Sequence, residues 1–183
     1  CKLMENTYRD VNIALANEFN AVANTLGIDG IQAIELANKH PRVNILKPSI
    51  GVGGHCIPID PWFIKEVDPA NSRLIFTARL VNDEMPFRVA SKIRKSLAAL
   101  ESPRILALGA TYKPNTYDLR ESPALKVIQI LLEDGYDIEV YDPLTVEYDK
   151  EGSLIELAKD KDCLVLLVPH DLLVNELNSN LDE

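Results

Sequence analysis

Leu3, Val11, Ala14, Leu15, Phe19, Val22 and Leu26 recur at roughly helical spacing, and no Gly or Pro interrupts the run before Gly27. The pattern predicts one long helix over residues 3–26. Asp29 stands where it can cap a second helix over residues 31–38, which must stop before Pro41. The stretch Lys47-Pro48-Ser49-Ile50-Gly51-Val52-Gly53-Gly54-His55-Cys56-Ile57-Pro58 is rich in Pro and Gly and reads as a loop. Asp60-Pro61 then has the form of an N-cap followed by a first-turn proline, opening a third helix. Residues 72–100 suggest a long fourth helix, with Pro86 as a kink or a break.

Beyond Ser102-Pro103 the period changes. Arg104-Ile105-Leu106-Ala107-Leu108-Gly109, Asp137-Ile138-Glu139-Val140-Tyr141 and Cys163-Leu164-Val165-Leu166-Leu167-Val168 are strand-sized apolar runs. Helical patterns over residues 124–133, over 154–158 and from Asp171 onward alternate with them. Strands of this kind interleaved with helices predict a parallel sheet covered on both faces. The expected fold class is α/β: a helical N-terminal domain, residues 1–102, followed by a Rossmann-like parallel-sheet domain, residues 103–183. Such a sheet binds ligands at the carboxyl ends of its strands. The turn after the first strand reads Gly109-Ala110-Thr111-Tyr112-Lys113 and lacks GxGxxG, so a dinucleotide is not held there in the usual way.

Composition narrows the classes. Of 183 residues, 19 are Lys or Arg and 28 are Asp or Glu; the net charge of −9 leaves no basic footprint for nucleic acid or an anionic membrane. Residues 163–169, the longest candidate apolar stretch, are strand-sized, far short of the ~20 residues of a membrane span. The N-terminus carries no signal-peptide pattern. Three cysteines without CxxC spacing favour a reducing compartment, and a cytoplasmic location is expected. The sequence opens inside a helical pattern and without Met, so a piece of a longer protein is expected.

Two segments concentrate chemistry. In Gly51-Val52-Gly53-Gly54-His55-Cys56 the glycines allow close backbone approach to a ligand, and their amides can surround an anion. Cys56, close to a helix start, is placed as a nucleophile; the alternative is a buried, inert thiol. Asp60, four residues on, can direct a water or simply cap its helix. His55, Cys56 and Asp60 are too few for a metal site, and no metal is expected. Adjacent His and Cys side chains ordinarily point apart, so a Cys-dependent hydrolase would need His40 or His170 as a distant partner. Lys2 and Asn6, spaced i, i+4, share one helix face. Arg42 and Lys47 flank the path into the loop, where they can meet phosphate or stand as solvated charges. The second segment, residues 112–123, follows a strand end and carries Lys113 and Arg120 as cations for an anionic ligand. Read without a ligand, it is a polar loop in which Asp118 or Ser122 caps a helix.

Three motifs occur in a telling order. Lys2-x-x-x-Asn6, then Gly51-Val52-Gly53-Gly54-His55-Cys56-Ile57-Pro58-Ile59-Asp60, then Lys113-Pro114-Asn115 with Asp118-Leu119-Arg120-Glu121-Ser122-Pro123, resemble the UDP-glucose/UDP-mannose dehydrogenase family. The resemblance covers nearly the whole chain but only the later part of the family's architecture: the central helical domain, which forms the dimer core, and most of the UDP-binding domain. Residues 5–18 and 40–45 are most similar to the branch acting on UDP-N-acetyl-D-mannosamine, whereas Pro48-Ser49-Ile50-Gly51 is locally similar to the UDP-glucose type.

The resemblance implies a four-electron oxidation of a sugar C6 alcohol to a carboxylate, with NAD as the cofactor. On that footing Cys56 traps the aldehyde as a thiohemiacetal that becomes a thioester. Lys2 stabilises the oxyanion at C6, Asn6 orients the substrate, and Asp60 directs the hydrolytic water or Lys2. Lys47, Pro48, Ser49, Ile50, Gly51, Val52 and Gly53 hold the UDP-sugar, and Tyr112 and Lys113 contact it from the second domain. Arg42 reaches the neighbouring subunit's site, and Arg120 contacts NAD. A homodimer or larger homo-oligomer is implied, as is inactivity of this chain by itself, without the family's NAD-binding domain. UDP-glucose or UDP-N-acetylglucosamine as substrate, and a nucleotide-binding module without chemistry, stay open.

Overall fold

The computed structural model describes residues 1–180, so the last three residues of the expected 103–183 domain lie outside the described residues. The chain condenses into two compact units, Cys1–Met85 and Pro86 onward. The division falls inside a helix rather than at Ser102-Pro103. Arg79 and Asn82, on the first part of that helix, bond to Asp10, whereas Arg94 on its second part pairs with Asp134.

The first unit holds α1 (Lys2–Thr25), α2 (Gly30–Ala37), α3 (Asp60–Val67) and the start of α4 (Arg73–Leu97). Asp29 caps α2 as expected, its carboxylate accepting from the Ile31 and Gln32 amides at 2.9 and 3.1 Å. Pro86 does not end α4; the helix continues through it, without the amide hydrogen bond that a proline cannot donate. The side that α1 buries is not its apolar stripe. Asn6, Thr7, Asp10, Ala14, Ala16, Asn17 and Ala23 are buried, while Phe19, Val22 and Leu26 are exposed. A buried polar face is stable only when its groups find partners, and α4, α3 and the loop before α3 supply most of them.

The second unit holds β1 (Arg104–Leu108), α5 (Pro123–Glu133), β2 (Asp137–Tyr141), α6 (Leu154–Ala158), β3 (Cys163–Leu166) and α7 (Asp171–Asn180). The three strands are parallel in the order β2-β1-β3, with Leu106 beside Glu139 and Leu164. Leu106, Leu108, Tyr141, Leu154 and Leu173 form one cluster of the core, and Ile105, Ala107, Val127, Ile128 and Leu131 are buried as well. Coverage of both faces holds at β1, where Ile105 to Leu108 are all buried, but not at β3. The cluster from α6 and α7 covers Leu106 and Leu108 without extending over their register neighbours Leu164 and Leu166, which stay about two-fifths exposed (42% and 41%).

Gly109 follows β1 at φ +86°, and a Cβ there would stand 2.5 Å from Val168 Cβ. Only glycine lets the chain leaving β3 pass this close. The glycine of the β1 turn therefore permits a close chain crossing. Among the described residues no helix is long and apolar enough to cross a membrane.

Candidate functional site

Asp60 does not cap α3. The cap position belongs to Ile59, and Asp60 is the first helical residue. Its carboxylate is thereby free to leave the helix axis. It accepts a hydrogen bond from Asn6 Nδ2 of α1 at 2.6 Å, although 54 residues separate the two in sequence. Asn6 is 2% exposed and Asp60 half-buried, so this is a short, largely dry contact to a carboxylate. Pro61 fits behind Asp60 because its missing amide falls in the first turn.

Cys56 lies one turn ahead of Asp60: its carbonyl accepts from the Asp60 amide at 2.8 Å and from the Ile59 amide at 3.1 Å. Gly54, at φ +89°, turns the chain into this helical approach. Cys56 is exposed, which removes the reading of it as a buried, inert thiol. His55 also departs from expectation. Its Nδ1 lies 3.4 Å from Cys56 Sγ, so the adjacent side chains meet instead of pointing apart. The imidazole can accept the thiol proton or donate to the thiolate, according to its tautomer.

The segment leading into the loop is held by asparagines. Asn12 donates to the Asn44 carbonyl at 2.8 Å and accepts from the Leu46 amide at 2.9 Å. Asn38 exchanges two 2.8 Å hydrogen bonds with the Ile45 backbone. Asn17 accepts from the Ser49 amide at 2.7 Å, and Ser49 Oγ donates to the Gly51 carbonyl at 2.7 Å. Pro48, Ile50, Gly51 and Val52 are half-buried and Gly53 buried, while Lys47 is exposed beside them.

Behind Asn17 runs a buried polar chain. Asn17 Nδ2 donates to Asn82 Oδ1 at 3.1 Å, and Asn82 Nδ2 donates to the Asp10 carbonyl and carboxylate at 2.9 and 3.0 Å. Asp10 also pairs with Arg79, which reaches Asp83 at 3.1 Å. Burial raises the Asp10 carboxyl to about 6, against the opposing pull of Arg79 and of the Asn82 hydrogen bond. Asp10, Asn17, Arg79 and Asn82 were not candidates from sequence. The signal was present, because Asn6, Asp10, Ala14 and Asn17 follow one another at spacings of four, four and three on one helical face.

Other expected site residues are not gathered. The Lys2 ammonium turns to Glu5 at 3.1 Å, and its side chain is 74% exposed. Arg42 is exposed, and its amide donates to His40 Nδ1 at 3.3 Å. In the second unit, Lys113 Nζ lies 5.5 Å from the centre of the Tyr112 ring. Arg120 forks onto Asp118, with Nη2 to Oδ2 at 2.6 Å and Nε to Oδ1 at 3.0 Å. Ser122 caps α5 and donates to the Ala110 carbonyl at 2.7 Å. Gly109, at the β1 turn, packs against Val168.

Residues 1–84 match the central domain of the UDP-glucose/GDP-mannose dehydrogenase family, and residues 106–180 match its UDP-binding domain. A UDP-N-acetyl-D-mannosamine dehydrogenase of Methanocaldococcus jannaschii is 53% identical over 171 residues, 93% of this chain and 40% of that protein. The structure of a UDP-D-ManNAc dehydrogenase from Pyrococcus horikoshii superposes with a TM-score of 0.87 at 40% identity, over 97% of this chain and 44% of that one. A UDP-glucose dehydrogenase from Pyrobaculum islandicum shares the fold, with a TM-score of 0.85 at 24% identity over 94% of this chain and 43% of that one. The chain thus spans less than half the length of the relatives it matches. Nucleotide-sugar oxidoreductases set the frame, with GDP-mannose where the motifs suggested UDP-mannose, and the chain belongs to the UDP-glucose/GDP-mannose dehydrogenase family.

Proposed function

We propose that this chain is the central and UDP-binding part of an NAD-dependent 6-dehydrogenase that converts UDP-N-acetyl-D-mannosamine to the corresponding uronate. The observation that carries the reading is the Asn6–Asp60 hydrogen bond, which ties two separately encoded motifs together one turn from an exposed Cys56. The mannosamine branch rests on the names of relatives such as the M. jannaschii enzyme and the P. horikoshii structure.

NAD, when bound, accepts the hydride of each of the two oxidations. The chain's own residues do the remainder. Cys56 Sγ, having passed its proton to His55, adds to the C6 aldehyde carbon and forms a C–S bond. Lys2 leaves Glu5 to stabilise the resulting oxyanion, a role for a compact cation. Loss of hydride from that carbon gives the thioester. Asp60 directs the attacking water, the C–S bond breaks, and the carboxylate and free thiol are released. Asn6 fixes Asp60 and the sugar. The 47–53 segment binds the UDP-sugar through its backbone, with Tyr112 and Lys113 as further contacts. Arg42 serves the neighbouring subunit's site, and Arg120 meets NAD by exchanging its Asp118 partner.

The proposed assembly is a homodimer or larger. The 183 residues by themselves are proposed to be inactive, and the intact enzyme to work in the cytoplasm. The test is NADH yield from the full-length enzyme, offered UDP-N-acetylmannosamine, UDP-N-acetylglucosamine and UDP-glucose separately. Two NADH per mannosamine sugar, with little from the others, supports the reading. A preference for either other sugar moves the chain to that branch, and no NADH from any of them rejects it.

A further inference from the structure

His170 is fully buried, ionisable and unused by the proposed chemistry. It stands at the carboxyl edge of the sheet because Gly109 lets the chain after β3 pass against β1. Four hydrogen bonds converge on the Asp142 carboxylate beside it. Oδ2 accepts from the Ala110 amide at 2.7 Å, from the Thr111 amide at 3.3 Å and from His170 Nε2 at 3.0 Å; Oδ1 accepts from the Leu144 amide at 3.0 Å. The opposite ring nitrogen, Nδ1, lies 2.9 Å from the Asn115 amide. An amide can only donate, so Nδ1 is the bare nitrogen and Nε2 carries the proton. Thr111 Oγ1, 3.2 Å from Nε2, spends its own hydrogen on the Lys113 carbonyl at 2.9 Å.

Asn115 is the other end of the device. Its backbone is left-handed, φ +58°, a conformation that Asn tolerates better than other side-chain-bearing residues but that still needs ties to hold it in place. Two ties do so: its amide on His170, and its side-chain oxygen accepting from the Asp171 amide at 3.0 Å. The intervening residues Lys113 and Pro114 are exposed and could not hold a shape by burial.

We propose that His170 is a positioning residue for nucleotide-sugar binding: through Nδ1 it fixes Asn115, and so sets the loop that presents Tyr112 and Lys113 to the UDP-sugar. This rests on the functional reading above for the ligand, but not for the loop. Asp142 sets the tautomer, and the ring carries that choice from the sheet edge to the binding loop. His170 makes no contact with the reacting atoms.

The test uses the full-length enzyme with His170→Asn and His170→Gln. The Asn side chain places an oxygen where Nδ1 was and keeps the tie to Asn115. The Gln side chain reaches toward Asp142 and loses that tie. His170→Gln is expected to raise KM for the UDP-sugar about tenfold, the effect of one lost hydrogen bond, with kcat within about twofold. His170→Asn is expected to stay close to wild type. An unchanged KM in His170→Gln, an equal rise in both variants, or a fall confined to kcat overturns the proposal.

Amide exchange supplies a readout free of activity and of variant folding. In the unmutated protein the Asn115 amide should exchange at least tenfold more slowly than the amide of Tyr117, a residue 82% exposed, and this protection should vanish in His170→Gln. Equal exchange of the two overturns the proposal. If the enzyme oxidises no UDP-sugar, the functional reading falls while the Asn115 exchange still judges the clamp.

Discussion

Asn6 and Asp60 can be exchanged, and the exchange isolates their interaction. The hydrogen bond is 2.6 Å long and its donor is 2% exposed. A hydrogen bond to a carboxylate contributes about 1.5–3 kcal/mol. Asp60→Asn keeps an oxygen to accept from Asn6 and is expected to cost about 1 kcal/mol. Asn6→Asp puts a second carboxylate against the first. With the two charges about 4 Å apart and an effective dielectric of ~20, that repulsion is about 4 kcal/mol, cut to about 2 by the half-exposure of Asp60. Asn6→Asp combined with Asp60→Asn restores one amide and one carboxylate with the roles reversed. The double variant is therefore expected to be about 2 kcal/mol more stable than the sum of the single effects. Urea unfolding of the 183-residue chain, followed by the fluorescence of Trp62, reads this directly, because Trp62 sits on α3 beside Phe76 at 5.6 Å. Additivity within about 0.5 kcal/mol would show that the two side chains do not interact and would refute the geometry of the site.

The fold makes two sharper demands. Gly109→Ala places a Cβ against Val168 at φ +86° and is expected to cost about 3 kcal/mol or more, whereas Gly135→Ala, at φ +89° with nothing within 4 Å, should cost only about 1 kcal/mol; equal losses in urea titrations would refute the close crossing. Asp10, raised from 3.8 to about 6 by burial, binds its proton more tightly folded than unfolded. Its contribution to stability is therefore full below about pH 4 and is lost as pH rises toward 6, a change of about 3 kcal/mol. Subtracting the unfolding free energy of Asp10→Asn from that of the parent at pH 4 and pH 7 should expose that slope. A pH-independent difference would contradict it.

The elements were legible where pattern alone decides them. Helical spacing over α1, the Asp29 cap, and the strand-sized runs at β1, β2 and β3 each appear where the residues place them. What pattern could not say is which side of α1 faces inward. Phe19 and Val22 belong to the apolar series yet are exposed, whereas Asp10 and Asn17 are buried, because Arg79 and Asn82 on α4 satisfy them across about 70 residues of sequence. Asp60-Pro61 misled for a related reason. The local signal for a cap was sound, but Asn6 competes for the same carboxylate, and that competitor cannot be seen locally. From sequence His170 entered only as a distant partner for a Cys-dependent hydrolase, since Asp142 and Asn115 converge on it only through the strand order.

The central claim is that Cys56 carries the sugar as a covalent intermediate. The full-length enzyme, given UDP-N-acetylmannosamine and excess NAD, can be quenched in acid within a turnover and mapped by peptide mass spectrometry. Asp60→Asn, which should slow hydrolysis, is run in parallel to accumulate the adduct. The account expects a UDP-uronosyl thioester on the peptide containing Cys56, enriched in Asp60→Asn, and no uronate product from Cys56→Ser. Full conversion to uronate by Cys56→Ser, with no adduct in the parent enzyme, would contradict it.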